Sequence, residues 1–162
     1  MKAALRTAIA YEMESAGAAE ASGNLQRAVG HLERAHILGQ RYFLFHMHTH
    51  LCMLRIALRR RDKGELRGQA IRLLAVIPGY ISGWIPKGNT GGANVSALKP
   101  MPVPTDLVPL LRGYSVWRDV GIRFIFVMLA ASAYSVCVTT KVPQSSPPVA
   151  GIDQPAHAWA VL

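Results

Sequence analysis

Apolar residues recur every three or four positions along the first 77 residues, and this period constrains the fold more than any other feature of the chain. Leu5, Ile9, Met13 and Ala16 follow it in the first segment, and residues 25–38 repeat it. Stripes of this kind are typical of helices that bury one face against a neighbour. The sequence therefore predicts a mostly α-helical fold over this region.

Short turns divide the region into helical hairpins. Residues 22–24, "SGN", end the first helix, because glycine commonly follows a helix C-terminus. Residues 39–41, "GQR", separate the helices predicted for residues 25–38 and 42–60. Short connections make neighbouring helices antiparallel, so we predict an antiparallel helical bundle. The first pair has the shape of a tetratricopeptide-like hairpin, although one hairpin is not a repeat array.

A fourth helix is predicted after residue 62. Asp62 and Glu65 have the spacing of a capping box, and Pro78 is expected to follow the end of the helix. Its apolar residues predict the buried face, which comprises Leu66, Ala70, Leu73, Leu74 and Ile77.

The composition changes after the fourth helix. Residues 78–113 are rich in glycine and proline and predict an irregular wrap, so the helical domain with its wrap spans residues 3–113. Residues 114–141 form an apolar segment, and residues 142–162 have the composition of a disordered tail.

Three histidines are predicted to converge at the second hairpin. His46 and His50 stand four apart on one buried face of the third helix. Folding the second helix back about the "GQR" turn brings His36 level with them. Three such imidazoles can hold one Zn, Cu, Ni or Fe ion. His48 is expected to face outward, with Cys52 near it. Three polar residues are expected to assist: Glu33 as a fourth ligand or by orienting a ring, and Gln40 and Gln69 by hydrogen bonds to the rings from behind.

Three functions fit this cluster. The first is a metal-binding accessory protein that buffers or senses a transition-metal ion. The second is a metal-free helical adaptor whose histidines are hydrogen-bonded core residues. The third is a metal-dependent enzyme, because a three-histidine site with an open position can activate water. No Ser/His/Asp order and no cofactor fingerprint supports an enzyme, and "ERAH" at residues 33–36 lacks the second Glu-x-x-His motif of a di-iron site.

The chain is basic, with 18 Lys and Arg against 9 Asp and Glu. Basic residues cluster around the turn before the fourth helix. No aromatic residues that could stack on nucleic acid bases are interleaved among them. A solvated face, or one near anionic lipid, is therefore favoured over a nucleic-acid interface. Two cysteines far apart are no disulfide framework and suit a reducing compartment. No feature identifies a protein partner.

Residues 124–140, "FIFVMLAASAYSVCVTT", contain no charged residue and reach the lower length limit of a membrane span. With Arg118 and Arg123 before it, the span would tether a cytoplasmic domain to the inner membrane. A docked last helix and a non-native extension are the alternatives. If the tail is an appendage, a chain ending at Arg112 should fold with an unchanged core.

Three segments, "HLERAHILGQ", "RRRDKGELRGQAIRLL" and "PKGNTGGANVSALKPMPVPTDL", resemble the bacterial family known as domain of unknown function 3703. The resemblance covers residues 5–112 and implies a small, mostly helical cytoplasmic protein without an established activity. Members are similar to accessory proteins found beside heavy-metal resistance and cation-efflux genes. The family pattern includes His36, Gln40, His46 and His50, but neither His48 nor Cys52, and it does not extend to residues 114–162.

Overall fold

Five α-helices and one short 3-10 helix form the part of the chain that the computed structural model describes, residues 1–141, and no strand occurs in that range. The first four helices pack in chain order, α1 on α2, α2 on α3 and α3 on α4. The predicted helical fold is thereby confirmed. The helices are α1 (Ala3–Ala21), α2 (Leu25–Gly39), α3 (Phe43–Arg60), α4 (Lys63–Ser82), the 3-10 helix (Val108–Leu111) and α5 (Val116–Lys141).

The predicted turn residues start and end these helices. Gly23 adopts a φ of 80° just beyond α1, in the left-handed region that glycine enters without strain. Asn24 caps α2 by accepting a hydrogen bond from the Arg27 amide. Asp62 caps α4 by accepting from the Glu65 amide at 2.9 Å. The Glu65 carboxylate does not close the capping box and lies elsewhere, as described below.

The core consists of two clusters of buried apolar side chains. One lies among α1, α2 and α3, and the other is completed by Leu107 and Leu111 from the segment after α4. Cys52 belongs to the first cluster, where it is buried with Ala16 and Ala19, while His48 beside it on α3 is exposed as predicted. Cys52 is buried because α1 covers this side of α3.

Helix α4 differs from its prediction in length and in buried face. It continues through Pro78 to Ser82. Proline has no backbone N–H, so the carbonyl of Leu74 has no helical donor. Leu74 is exposed, so water can bond to that carbonyl instead. Its buried residues are Gln69, Arg72 and Val76, whereas Leu74 is 76% exposed. The irregular segment after α4 covers the polar side of the helix, and the predicted apolar face is left largely open.

Helices α3 and α4 consequently present exposed apolar residues. Leu44, Leu51 and Leu58 follow one another at seven-residue intervals along α3 and are all exposed. A set on α4 is exposed as well, comprising Ile71, Leu74, Ile77 and Ile81. Exposed apolar residues repeated along a helix in this way often mark an interaction site.

The beginning of α5 contacts the helical domain within the first unit of the chain, Met1–Val127. Asp119 accepts hydrogen bonds from Arg41 Nε at 2.8 Å and Nη2 at 2.9 Å. The Tyr114 hydroxyl donates to the Ile85 carbonyl at 2.8 Å. The segment from residue 114 to residue 123 is thus part of the domain rather than an appendage.

The apolar residues from Phe124 to Val136 in α5 are mostly exposed. This helix belongs to a stretch, Val108–Cys137, that contains an 18-residue window with a mean hydropathy of 1.8, long and apolar enough to cross a membrane. Length and composition are compatible with a membrane anchor. The second unit begins at Met128, and its described part is helical to Lys141. The tail predicted for residues 142–162 lies outside the described residues.

These contacts change the expectation for a truncated chain. We expect a chain ending at Val127 to keep the stability of the helical domain, whereas one ending at Arg112 should lose about 2 kcal/mol of unfolding free energy, because it lacks the Tyr114 and Asp119 hydrogen bonds. Urea unfolding followed by circular dichroism measures the difference. Equal midpoints for the two chains would show that residues 113–127 add nothing to the domain.

Candidate metal centre

The structure brings His36 of α2 together with His46 and His50 of α3. The centroid of the His36 ring lies 4.7 Å from each of the other two, and those two are 4.9 Å apart. One ring nitrogen from each histidine lies within 4.8 Å of the others. All three side chains are buried, and His36 and His50 are only 3% and 2% exposed. The α2–α3 hairpin therefore creates a compact group of three nitrogen donors.

The position of the proton on His36 follows from its hydrogen bond. His36 Nδ1 lies 2.9 Å from the carbonyl oxygen of Asn89, which can only accept, so Nδ1 carries the proton and donates it. His36 Nε2 is then an unprotonated nitrogen with a free lone pair. It is buried and has no hydrogen-bond partner among the described residues. A buried acceptor without a partner is unfavourable unless a donor or a cation meets it.

His50 is oriented in the same way by Gln69. His50 Nδ1 lies 2.7 Å from Gln69 Oε1. The amide of Gln69 cannot be reversed, because its Nε2 donates to the Gly91 carbonyl at 2.9 Å and to Glu65 Oε1 at 2.6 Å. His50 Nδ1 must therefore be the donor, and His50 Nε2 presents a lone pair to the interior of the cluster.

His46 completes the group. Its Nε2 lies 3.1 Å from Nε2 of His50. Because the His50 nitrogen carries a lone pair, the space between the two must be bridged by a proton on His46 Nε2 or by a cation. Two nitrogens about 2.0–2.1 Å from a tetrahedral ion would stand roughly 3.3 Å apart, close to this separation. His46 Nδ1 is buried without a hydrogen-bond partner among the described residues.

Burial keeps the three imidazoles neutral. It lowers the pKa of His36 well below its usual value, and mutual repulsion with His46 and His50 adds to the effect. Burial likewise lowers the pKa of His46 to about 3, assisted by His50 and Arg72. It lowers the pKa of His50 to about 4, against the opposing effect of the hydrogen bond that His50 donates to Gln69. Neutral imidazole is the form that binds metal ions, so the cluster needs no deprotonation at neutral pH.

The irregular segment after α4 is held against the cluster by polar side chains of α4. The Glu65 carboxylate accepts from the Ala93 amide at 3.0 Å, in addition to its bond with Gln69. Arg72 Nη2 donates to the carbonyls of Gly92, at 2.7 Å, and of Val95. These bonds position the loop that supplies the Asn89 and Gly91 carbonyls.

The three polar residues predicted to assist the histidines, Glu33, Gln40 and Gln69, lie in different environments. Glu33 lies outside the group of clustered donors, and its carboxylate is next to Gly92, where burial and then Glu65 raise its pKa. Gln40 is buried beside the loop, and in the amide orientation that satisfies both neighbours it donates to the Pro86 carbonyl at 3.2 Å and accepts from the Gly88 amide at 3.1 Å. Of the two glutamines, Gln69 alone bonds a histidine ring among the described contacts.

Sequence reasoning missed three contributors: Asn89, Gly91 and Glu65. Asn89 supplies the acceptor for His36, and its side chain braces the loop by donating to the carbonyls of Ser96 and Lys99. Gly91 has a φ of 82° and packs against the His36 ring. The density of glycine and asparagine in residues 88–94 was the available signal, but it indicated a loop and not where the loop would pack.

A cavity of about 350 Å³ adjoins the cluster, and the three histidines form part of its wall together with Arg72. Its other walls come from α4 and the irregular segment and are largely apolar, including Val76, Trp84, Ile85, Pro86, Ala97 and Leu98. A ligand could therefore approach the three histidines through a largely apolar cavity.

Gln69→Met should weaken binding of an ion at the histidines by about 10–100-fold, because His50 would lose the acceptor that fixes its proton on Nδ1. Competition with a chromogenic chelator measures this change. Gln26→Met is the matched control, since Gln26 is exposed on α2. A Gln69→Met protein that binds the ion as tightly as wild type would mean that the hydrogen bond does not orient a ligand.

Comparison with known proteins bears on the same residues. Neither the curated proteins nor the solved structures contain a match to this chain. The profile of a family described as "Protein of unknown function (DUF3703)" matches residues 3–111, a range that includes all three histidines and the loop over them and ends before α5. The chain therefore belongs to the DUF3703 family.

Proposed function

We propose that this protein binds one transition-metal ion between α2 and α3, with His36, His46 and His50 as ligands. One observation carries the proposal: acceptors behind His36 and His50 fix their protons on Nδ1 and leave each Nε2 with a lone pair, and Nε2 of His50 lies 3.1 Å from Nε2 of His46 in a group whose donor atoms lie within 4.8 Å of one another. Orientation by hydrogen bonds from behind is the usual arrangement around histidine ligands. A set of neutral imidazoles suits Zn, Cu, Ni or Fe.

The proposed role is that of an accessory protein which buffers or senses the ion, in keeping with the resemblance to proteins encoded beside metal-resistance genes. The apolar helix α5 would tether it to the inner membrane. Arg118 and Arg123 precede the apolar stretch, so the positive-inside rule would keep the helical domain in the cytoplasm. A metal-dependent enzyme is the third hypothesis, because three histidines leave a coordination position open.

Full-length protein purified in detergent without an affinity tag is expected to contain about one equivalent of Zn, Cu, Ni or Fe. Removal of the ion by a chelator should lower the melting temperature, and the ion should restore it, because a ligand that binds only the folded state stabilises it by about 2.7 kcal/mol at 100 times its Kd. Elemental analysis and thermal unfolding measure these results. If the protein contains none of the four ions and none of them stabilises it when added, the proposal is contradicted.

That contrary outcome would favour the metal-free adaptor, the second candidate. The exposed leucines of α3 and the exposed apolar residues of α4 support it, since they offer a surface to a partner protein. In the adaptor, a proton on His46 Nε2 would bridge to His50, and the histidines would be hydrogen-bonded core residues. Chelators would then leave the melting temperature unchanged.

A further inference from the structure

The cavity beside the histidines has the properties of a ligand pocket. It is largely apolar, yet one end holds three nitrogen donors and a buried guanidinium, that of Arg72. It also reaches the surface, because Ala75, Ser82 and Leu98 line it and are exposed. Pockets with apolar walls and a few polar groups at one end are typical of sites for small organic molecules.

The charges at the polar end favour an anion once an ion is bound. Imidazole binds a metal ion as a neutral ligand, so a divalent ion would keep its full charge. The cationic Arg72 lies on the wall of the same cavity. Among the described residues, Glu65 reaches the histidines through Gln69, and Glu33 is not one of the clustered donors. Buried charge of one sign is unfavourable without a counter-charge. Glu65 lies near enough to Arg72 to act on its charge, and an anionic fourth ligand would offset the charge of the ion.

The fourth ligand would enter from the cavity. Structural zinc sites are closed by four protein ligands, whereas three protein ligands leave one position for an exogenous group. The three rings line the cavity together, so an exogenous ligand could reach the ion from it. Water or hydroxide would occupy the polar end but leave the apolar walls without a partner. A small organic anion would satisfy both ends.

We propose that the metal-loaded protein binds a small organic monoanion, with its anionic group on the ion near Arg72 and its apolar body against Val76, Trp84 and Ile85. This proposal rests on the proposed metal site. It makes the cavity a recognition site, so that ion and organic anion are held as a pair. No covalent step is involved.

Straight-chain carboxylates test the pocket. Full-length protein in detergent is loaded with cobalt(II), whose visible absorption reports its coordination. It is then titrated with acetate, butanoate and hexanoate, and detergent micelles without protein serve as the blank. Each carboxylate should change the spectrum to the same final form. The apparent Kd should fall about fourfold for each added methylene group while the chain lies in the cavity.

A variant that fills the cavity separates pocket binding from simple coordination. Ala75 is exposed and lines the cavity, so Ala75→Phe should leave cobalt stoichiometry unchanged and remove most of the gain from acetate to hexanoate. Ala70→Phe is the matched control, because Ala70 is exposed on the same helix and is not among the residues that line the cavity.

The outcomes are distinguishable. If the protein takes up no cobalt and none of the other ions, the metal site and the pocket both fail. If cobalt binds stoichiometrically but its spectrum ignores all three carboxylates, or their Kd values are equal, the pocket is overturned and the metal site stands. The pocket is also overturned if Ala75→Phe and Ala70→Phe bind hexanoate equally well.

Discussion

His46→Ala and His50→Ala are each expected to abolish stoichiometric metal binding. Each substitution leaves two imidazoles for the ion, and in the described part of the chain no carboxylate belongs to the cluster to replace the lost ligand. Loss of a hydrogen bond behind a ligand already weakens such sites by about 10–100-fold, so loss of the ligand itself should weaken this one by at least about 100-fold. Metal content after dialysis, measured by elemental analysis, gives the result directly.

His48→Ala is the matched control for this pair. His48 lies on the same helix between the two ligands, but its side chain is exposed on a different face. The variant should therefore retain about one equivalent of metal and the melting temperature of the loaded wild type. Loss of the ion from His48→Ala with retention in His46→Ala would place the ligands on the other face of α3 and refute the site.

Gly91→Ala is expected to lower both stability and metal affinity strongly. The backbone there has a φ of 82°, and a Cβ would lie 2.9 Å from Cγ and Cδ2 of the His36 ring. The left-handed conformation costs about 1–2 kcal/mol for a non-glycine residue, and overpacking adds about 1–3 kcal/mol. We therefore expect a loss of about 3 kcal/mol in the metal-free protein, and weaker metal binding because the His36 ring must move.

Gly23→Ala separates strain from collision. Gly23 has a φ of 80°, and nothing lies within 4 Å of the position that its Cβ would occupy. This variant should lose only the roughly 1–2 kcal/mol of backbone strain and keep its metal affinity. Urea unfolding of both metal-free variants and chelator competition measure the two effects. If Gly91→Ala is no less stable than Gly23→Ala and binds the ion equally well, the loop does not pack on His36 as described.

The two sets of substitutions probe different parts of one site. The donors come from α2 and α3, but their orientation comes from α4 and the segment after it, through Gln69 and the Asn89 carbonyl. Those groups also carry the bonds that hold the loop, such as Gln69 to the Gly91 carbonyl. Packing of the irregular segment and preparation of the donor group are therefore coupled, and a bound ion should stabilise both.

The convergence of the three histidines was predictable because it is local. His46 and His50 share a helix face at a spacing of four, and one short turn separates them from the helix that carries His36. Period and turn length are enough to place side chains within a single hairpin. The same reasoning predicted the helices and the Asp62 cap, and it holds wherever the interacting residues are close in sequence.

The buried face of α4 depended on contacts far apart in sequence. By itself, the pattern of Leu74 and Ile77 indicated a buried apolar stripe, yet Gln69 and Arg72 are buried, because their side chains bond to the backbone of the Gly91–Val95 loop. Polar groups are buried when they find such partners, and hydrophobic periodicity contains no information about them. The repeat of apolar residues in the sequence therefore determined the helices and the convergence of the three histidines. Packing of the irregular segment decided the positions of the protons on the rings, the cavity and the exposed apolar face of α4.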